Sequence, residues 1–129
     1  MHHILVSDTL SEKGLALLRE KARVDYLPGL KPERLLEIIG RYDALIVRSG
    51  TKVTATVLEA GRNLKVVGRA GSGVDNIDVE KATERGIMVI NTPGANTIST
   101  AEHTVAMLTA LARNIPAAHN TYRSGSFQR

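Results

Sequence analysis

Short aliphatic runs alternate with amphipathic helical patterns along most of this chain. The apolar runs lie at residues 4–6, 24–27, 44–47, 64–68 and 87–90, and each is followed by a segment with helical spacing. Short β-rich runs in such an alternation indicate strands joined by helices. Strands connected in this way form a parallel sheet that is covered by helices on both faces. The sequence therefore predicts an α/β fold built on five parallel strands.

The helical segments carry their own start and stop signals. Helical spacing predicts helices over about residues 12–22, 32–39, 54–60 and 78–86. Pro32 suits a first helical position, Gly40 suits a helix end, and Asp78 suits an N-cap. The right-handed crossover rule leaves few ways to connect these elements. The simplest of them is a flavodoxin-like doubly wound sheet.

The last segment of the chain has a different pattern. Ser99 and Glu102 have the spacing of a capping box, which predicts a helix start at that step. Two apolar stripes follow in this helix, at Ala101, Val105, Leu108, Ala112 and Ile115, and at Met107 and Leu111. A helix with two stripes is expected to be buried on more than one side, and Pro116 is expected to kink or restart it. We therefore predict a domain over residues 1–98 and a separate helical segment over 99–129.

Composition and charge exclude several classes of protein. The net charge is +4 and aromatic residues make up 3% of the chain, with basic residues spread along it and mixed with acids. Nucleic-acid binding needs clustered cations, so we expect no nucleic-acid partner. The chain has no cysteine, which excludes disulfides and thiolate metal sites. Neither a membrane-spanning apolar run nor a signal-peptide pattern is present, so we expect a cytoplasmic protein with no membrane partner.

Polar groups cluster immediately after the predicted strands. They occupy residues 7–8, 48–51, 69–76 and 91–96. Ligands of open α/β sheets bind outside the carboxyl ends of the strands, where these segments are expected to converge. An oxyanion could be bound there by Arg48, by Arg69 and by the glycine-rich turn that lies between Arg69 and the next helix. Taken singly, each feature also has a structural explanation, as a surface ion pair or an ordinary turn.

The glycine-rich turn superficially matches a dinucleotide fingerprint. Gly68, Gly71 and Gly73 follow a strand and precede a helix, but the third glycine of that motif is missing. Asn91 stands at the end of the next strand, where an acidic residue would hold a ribose hydroxyl. The turn also follows the fourth strand instead of the first. We therefore predict no cofactor site there.

The four histidines do not suggest a metal or catalytic site. His2 and His3 lie at the terminus, and His103 and His119 lie in the last helical segment without metal-ligand spacing. Solvated or interfacial positions are the expected explanation for the last two. The chain also contains no nucleophile elbow and no P-loop, so no metal site and no catalytic residue are predicted.

Three motifs together carry a family resemblance. They are LIVRS at 45–49, VVGRAGSGVDNID at 66–78 and NTPGAN at 91–96, and AEHT at 101–104 and LARNIP at 111–116 agree with them. The chain resembles the D-isomer-specific 2-hydroxyacid dehydrogenases over essentially its whole length. Within that family it is most similar to the branch that oxidises 3-phosphoglycerate to 3-phosphohydroxypyruvate with NAD, at the entry to serine biosynthesis. The resemblance implies a flavodoxin-like substrate domain followed by a hinge helix.

The resemblance also implies roles for particular residues. Arg48 and Ser49 would contact the substrate, a small phosphorylated hydroxy acid, with Arg48 near the phosphate. Arg69 would add positive charge. Asn96 would orient the reacting carbon. The substrate carboxylate would be held by the backbone N–H groups of Gly71, Ser72 and Gly73.

The family pattern departs from this sequence at its carboxyl end. By resemblance, the NAD-binding Rossmann domain and the catalytic Arg, Glu and His would follow Arg129. We therefore expect this chain alone to bind no cofactor and to be catalytically silent. Two other hypotheses stay open. The chain could be a stand-alone anion-binding domain that forms a homodimer through the 99–115 helix, or the corresponding half of a dehydrogenase acting on glyoxylate or hydroxypyruvate.

Overall fold

A five-stranded parallel sheet forms the centre of the first part of the chain. The computed structural model describes residues 1–126, and its strands lie in the order β2-β1-β3-β4-β5. The strands are β1 (His3–Val6), β2 (Arg23–Tyr26), β3 (Ala44–Val47), β4 (Val66–Arg69) and β5 (Met88–Asn91). The helices are α1 (Glu12–Arg19), α2 (Pro32–Ile38), α3 (Ala55–Ala60), α4 (Val79–Glu84), α5 (Thr97–Ala112) and α6 (Ile115–Arg123). All neighbouring strands pair in parallel, so the flavodoxin-like prediction is confirmed.

Local signals fix where the helices of the sheet region begin. The side chains of Ser11, Thr54 and Asp78 accept hydrogen bonds from backbone N–H groups in the first turns of α1, α3 and α4. Pro32 occupies the first turn of α2, where a missing N–H has no cost. These caps satisfy donors that the helices themselves leave unpaired. They also set the short loops that lead from each strand into its helix.

The core lies on one face of the sheet. Leu5, Leu45 and Val67 stand side by side in β1, β3 and β4 and are fully buried. They belong to one apolar cluster with side chains from α2, α3 and α4, among them Leu35, Leu58 and Ala82. Burying a large aliphatic side chain stabilises a fold by about 1.5–3 kcal/mol. This face therefore holds the strand ends, and the loops that follow them, in place.

The opposite face is only partly covered. Leu15 of α1 is fully buried, but Met88 and Ile90 of β5 are 62% and 50% exposed. A groove of about 690 Å³ runs between α1 and this part of the sheet, and its lining is almost entirely apolar. Because most of its surface is apolar, the groove offers an anion few hydrogen-bond donors.

A second compact unit begins at Asn96 and contains α5 and α6. The predicted capping box is wrong: α5 begins at Thr97, and the Ser99 hydroxyl donates to the Asn96 carbonyl at 3.1 Å instead of accepting at the helix start. Asn114 breaks the helix with a left-handed backbone (φ 51°). Pro116 lies in the first turn of α6, as expected for a proline that restarts a helix. Residues 127–129, the end of the predicted 99–129 segment, lie outside the described residues.

The apolar side chains of α5 are exposed. Helices α5 and α6 contain no buried residue. The exposed fractions of Val105, Leu108 and Leu111 are 59%, 65% and 78%. Within residues 1–126, no helix is both long and apolar enough to cross a membrane.

Candidate anion-binding site

The loop after β3 is fixed by an aspartate that follows β1. One carboxylate oxygen of Asp8, Oδ2, accepts hydrogen bonds from the backbone N–H of Arg48 at 2.7 Å and of Thr51 at 3.0 Å. Its other oxygen accepts from the Thr51 hydroxyl at 3.0 Å. A Cβ on Gly50 would lie 2.7 Å from this carboxylate, so the close approach requires glycine there. Asp8 therefore holds residues 48–51 in a tight turn at the carboxyl edge of the sheet.

Asn76 holds the same loop from its carbonyl side. The Nδ2 group of Asn76 donates to the carbonyl oxygens of Arg48 and Thr51, both at 2.6 Å. The backbone next to it is fixed as well, because Val53 pairs with Ile77 in an isolated parallel bridge. The loop after β3 is thus tied to β1 through Asp8 and to the loop after β4 through Asn76. Such a loop is preorganised, and a ligand that binds to it does not have to order it.

Arg48 and Ser49 project from this fixed loop into solvent. Both residues are exposed. Within residues 1–126, no ion pair joins the Arg48 guanidinium to an acidic side chain. An unpaired guanidinium on a rigid backbone can bind a phosphate or carboxylate through two parallel hydrogen bonds.

Arg69, at the end of β4, is paired within the chain. Its Nη1 donates to Oδ1 of Asp75 at 2.5 Å, and the two side chains are 11% and 84% exposed. The hydrogen bond from Arg69 is the main reason why the pKa of the Asp75 carboxyl is lowered. The sequence predicted two cations, Arg48 and Arg69, at this edge of the sheet. In the structure Arg69 is already paired with the Asp75 carboxylate.

The turn of Gly71, Ser72 and Gly73 is anchored to the loop after β5. The Thr92 N–H donates to the Gly71 carbonyl at 3.0 Å, and Asn91 Nδ2 donates to the Ser72 carbonyl at 2.6 Å. The Gly71 N–H is already used, because it donates to the Arg69 carbonyl at 2.9 Å. The Gly73 N–H has no partner among residues 1–126. Of the amides predicted to hold a carboxylate, that of Gly73 is therefore the best placed to do so.

The same turn does not fit a dinucleotide. In the nucleotide motif the glycines lead directly into a helix whose N-terminus faces the pyrophosphate. Here α4 begins only at Val79, after a separate turn over residues 74–78, and it has six residues. The Arg69 guanidinium also lies against the turn, with Nη1 3.2 Å from where a Cβ on Gly73 would stand. This turn therefore lacks the geometry of the dinucleotide motif, and the absence of a cofactor site stays a prediction.

The remaining positions considered in the sequence are Asn96 and the histidines. Asn96 precedes α5 in the second unit, so its role in orienting a substrate stays a prediction. His103 and His119 are exposed on α5 and α6. His3 is engaged in a structural cluster, with its Nε2 3.0 Å from Asp25. In the described part of the chain, no group of three or more histidine, aspartate or glutamate side chains is placed to hold a metal ion.

Comparison with known proteins agrees with the motifs and the fold. The family model for the D-isomer specific 2-hydroxyacid dehydrogenase catalytic domain matches residues 4–124. This chain belongs to that family. A D-3-phosphoglycerate dehydrogenase of Methanocaldococcus jannaschii is 52% identical over 100% of the chain and 25% of its own length. A hydroxypyruvate reductase of Thermotoga maritima is 43% identical over 99% of the chain and 42% of its own length.

A solved structure shows the same fold. The NAD⁺-bound 3-phosphoglycerate dehydrogenase of Entamoeba histolytica superposes with a TM-score of 0.73 and is 32% identical, over 84% of this chain and 38% of its own. This 2-hydroxyacid dehydrogenase chain thus spans about a quarter of the length of the M. jannaschii relative and under half of the other two.

Three residues of this candidate site were not singled out in the sequence. Asp8 and Asn76 fix the loop that carries Arg48, and Asp75 pairs with Arg69. Short Asp and Asn side chains beside strand ends commonly bond neighbouring backbone groups, which was the available signal. The partners of Asp8 and Asn76, however, lie 25 to 43 residues away in sequence and could not be identified without the fold.

Proposed function

We propose that this chain is the substrate-binding part of an NAD-dependent dehydrogenase that oxidises 3-phosphoglycerate to 3-phosphohydroxypyruvate in serine biosynthesis, in the cytoplasm. Residues 1–98 form the substrate domain in this proposal, and 99–129 form the hinge segment. The observation that carries it is Arg48, an exposed cation without an ion partner in residues 1–126, on a loop fixed by Asp8 and Asn76. The phosphoglycerate dehydrogenase relatives favour the same substrate.

Each group has a defined part in the proposed binding. Arg48 binds the phosphate, and Ser49 adds a hydroxyl donor next to it. The turn of Gly71, Ser72 and Gly73 receives the carboxylate, with the Gly73 N–H as its available donor. Arg69 adds positive charge, and Asn96 orients the reacting carbon. NAD would be held by a Rossmann domain outside this chain, so we expect the chain alone to form no NADH from 3-phosphoglycerate and NAD.

Calorimetric titration tests the substrate. The chain is expected to bind 3-phosphoglycerate at least about tenfold more tightly than glycerate, because a hydrogen-bonded Arg–phosphate contact contributes roughly 1.5–3 kcal/mol. Arg48→Ala should remove most of this preference. Arg62→Ala is the matched control, since Arg62 is also exposed but lies in the loop that precedes β4, at the amino edge of the sheet. Equal loss in the two variants would contradict the role of Arg48.

The hydroxypyruvate reductase relative supports a second candidate, a dehydrogenase for small unphosphorylated hydroxy acids. An enzyme of that kind has less need of a fixed cation for phosphate. Equal affinity of the wild-type chain for glycerate and 3-phosphoglycerate would favour this candidate over the first.

We also propose that the chain self-associates through α5. Its two apolar stripes are exposed, and side chains such as Leu108 and Leu111 would gain from burial in a dimer. The proposal concerns an interface between copies and does not depend on which hydroxy acid binds.

A further inference from the structure

The Arg69–Asp75 pair is unusually asymmetric. The Arg69 side chain is 11% exposed and comes from the end of a central strand, whereas the Asp75 side chain is 84% exposed. An ion pair with one partner in solvent contributes little to stability, since water can replace the exposed partner. The buried stem of Arg69 therefore fixes the guanidinium in place, whereas the Asp75 carboxylate can move into solvent at a small cost in free energy.

The carboxylate of Asp75 lies against the glycine-rich turn. A Cβ on Gly73 would be 3.0 Å from Asp75 Oδ1 and 3.2 Å from Arg69 Nη1. An oxygen atom at this place bonds to the guanidinium and lies beside the turn that would take the carboxylate of the ligand. This is also the arrangement that an incoming oxyanion would need.

The hydrogen bond to Asp75 uses only part of the donor capacity of the Arg69 guanidinium. The guanidinium offers five N–H donors, of which one on Nη1 is used by Asp75. Its Nε is buried and has no hydrogen-bond partner in the described residues. An anion with more charge and more oxygens than a carboxylate can bind the guanidinium more strongly than Asp75 does.

We propose that Asp75 is a displaceable substitute for the phosphate of the ligand at Arg69, and that it thereby lowers the affinity of the site for any anion that has to displace it. A ligand carboxylate that displaces Asp75 exchanges one carboxylate for another and gains nothing at Arg69. A phosphate dianion replaces a single charge by a stronger bidentate contact, and the released Asp75 returns to water. This inference rests on the proposed function, because it assumes that Arg69 faces the ligand.

Titration of an Asp75→Asn variant tests the displacement. The affinities for 3-phosphoglycerate and for inorganic phosphate should both rise by about threefold, the effect of removing one weak ion pair that each ligand has to break. Glu80→Gln is the matched control, because it removes an exposed carboxylate in the first turn of α4 and should leave both affinities unchanged. Unchanged or lowered affinities in Asp75→Asn would overturn the proposal.

A second measurement uses the wild-type chain and needs no variant. The ¹³C signal of the Asp75 carboxyl is followed against pH, with and without saturating 3-phosphoglycerate. Arg69 lowers the pKa of this carboxyl in the free chain, so its midpoint should rise when the ligand takes over the guanidinium. An identical midpoint in the saturated chain would contradict displacement.

The two proposals fail in different ways. If the wild-type chain prefers 3-phosphoglycerate through Arg48 but Asp75→Asn behaves like the wild type, only the role of Asp75 is wrong. If neither chain binds 3-phosphoglycerate or inorganic phosphate, both proposals are wrong. If inorganic phosphate binds only after Asp75→Asn, the displacement is supported while the proposed substrate is not.

Discussion

The sheet region and helix α5 are both rich in aliphatic residues, but they differ in what covers those residues. Leu45 in β3 is fully buried in a core shared with three helices, whereas Leu111 in α5 is 78% exposed. In α2, α3 and α4, buried side chains come from one side of the helix and the sheet covers them. Helix α5 has apolar side chains on two sides. An apolar pattern thus predicts that a helix face is buried, but it does not identify the surface that covers this face.

The largest expected effect is the loss of stability when a leucine of each region is truncated to alanine. Leu45→Ala should lower the free energy of unfolding by about 3 kcal/mol, because it removes buried methyl groups and leaves a cavity. Leu111→Ala should change it by less than about 0.5 kcal/mol. Chemical denaturation followed by circular dichroism, at a concentration where the chain is monomeric, measures both. Similar losses in the two variants would show that α5 is covered within one chain.

The second prediction concerns the proposed self-association of α5. Leu108→Glu should raise the dissociation constant of the dimer at least about 30-fold, roughly 2 kcal/mol, because a charge replaces an apolar contact. Val79→Glu in α4 is the control, since Val79 is 40% exposed but lies outside α5. Sedimentation equilibrium gives the constants. A wild-type chain that stays monomeric at high concentration would contradict the proposal.

A third prediction compares a buried tyrosine with an exposed one. Tyr42 is 4% exposed, and its hydroxyl donates to Asp25 at 2.8 Å. Burial is the main cause that raises the pKa of Tyr42 to about 12. In the unfolded chain the phenol ionises near pH 10, so between about pH 10 and 12 the unfolded state binds fewer protons and stability falls as the pH rises.

The test compares denaturation curves over that range. The wild type should lose roughly 2 kcal/mol relative to Tyr42→Phe between about pH 10 and 12. Tyr122→Phe in α6 should follow the wild type, because Tyr122 is 75% exposed. If Tyr42→Phe and the wild type lose stability in parallel, the phenol is not protected in the folded state.

The smallest expected effect compares two residues at helix starts. Asp78 accepts a hydrogen bond from the Lys81 N–H at 2.9 Å, whereas Ser99 caps no helix N–H. Asp78→Ala should cost about 1 kcal/mol, and Ser99→Ala should stay within about 0.5 kcal/mol. Urea denaturation measures both. A larger loss for Ser99→Ala would restore the capping role that its sequence spacing suggested.

The region that the sequence predicted best is the one governed by local rules. Alternating apolar runs gave the five strands and their order of connection, and Asp78 and Pro32 were correctly placed at helix starts. The Ser99 prediction was wrong because the spacing of a capping box does not say which turn the backbone adopts. Asn96 and Thr97 formed the first turn instead.

The sequence by itself determined the parallel sheet, the edge where polar loops gather, and the presence of Arg48 and Arg69 in those loops. Only the tertiary structure decided what holds these loops together. Asp8 accepts hydrogen bonds from the backbone N–H groups of Arg48 and Thr51, 40 and 43 residues away, and Asn76 donates to the carbonyls of the same two residues, 28 and 25 residues away. Periodicity reports burial along a single element, whereas these contacts depend on which strands become neighbours. The sequence therefore indicated two cations at the site, and the structure shows that Arg69 is paired with Asp75 while Arg48 has no ion partner within residues 1–126.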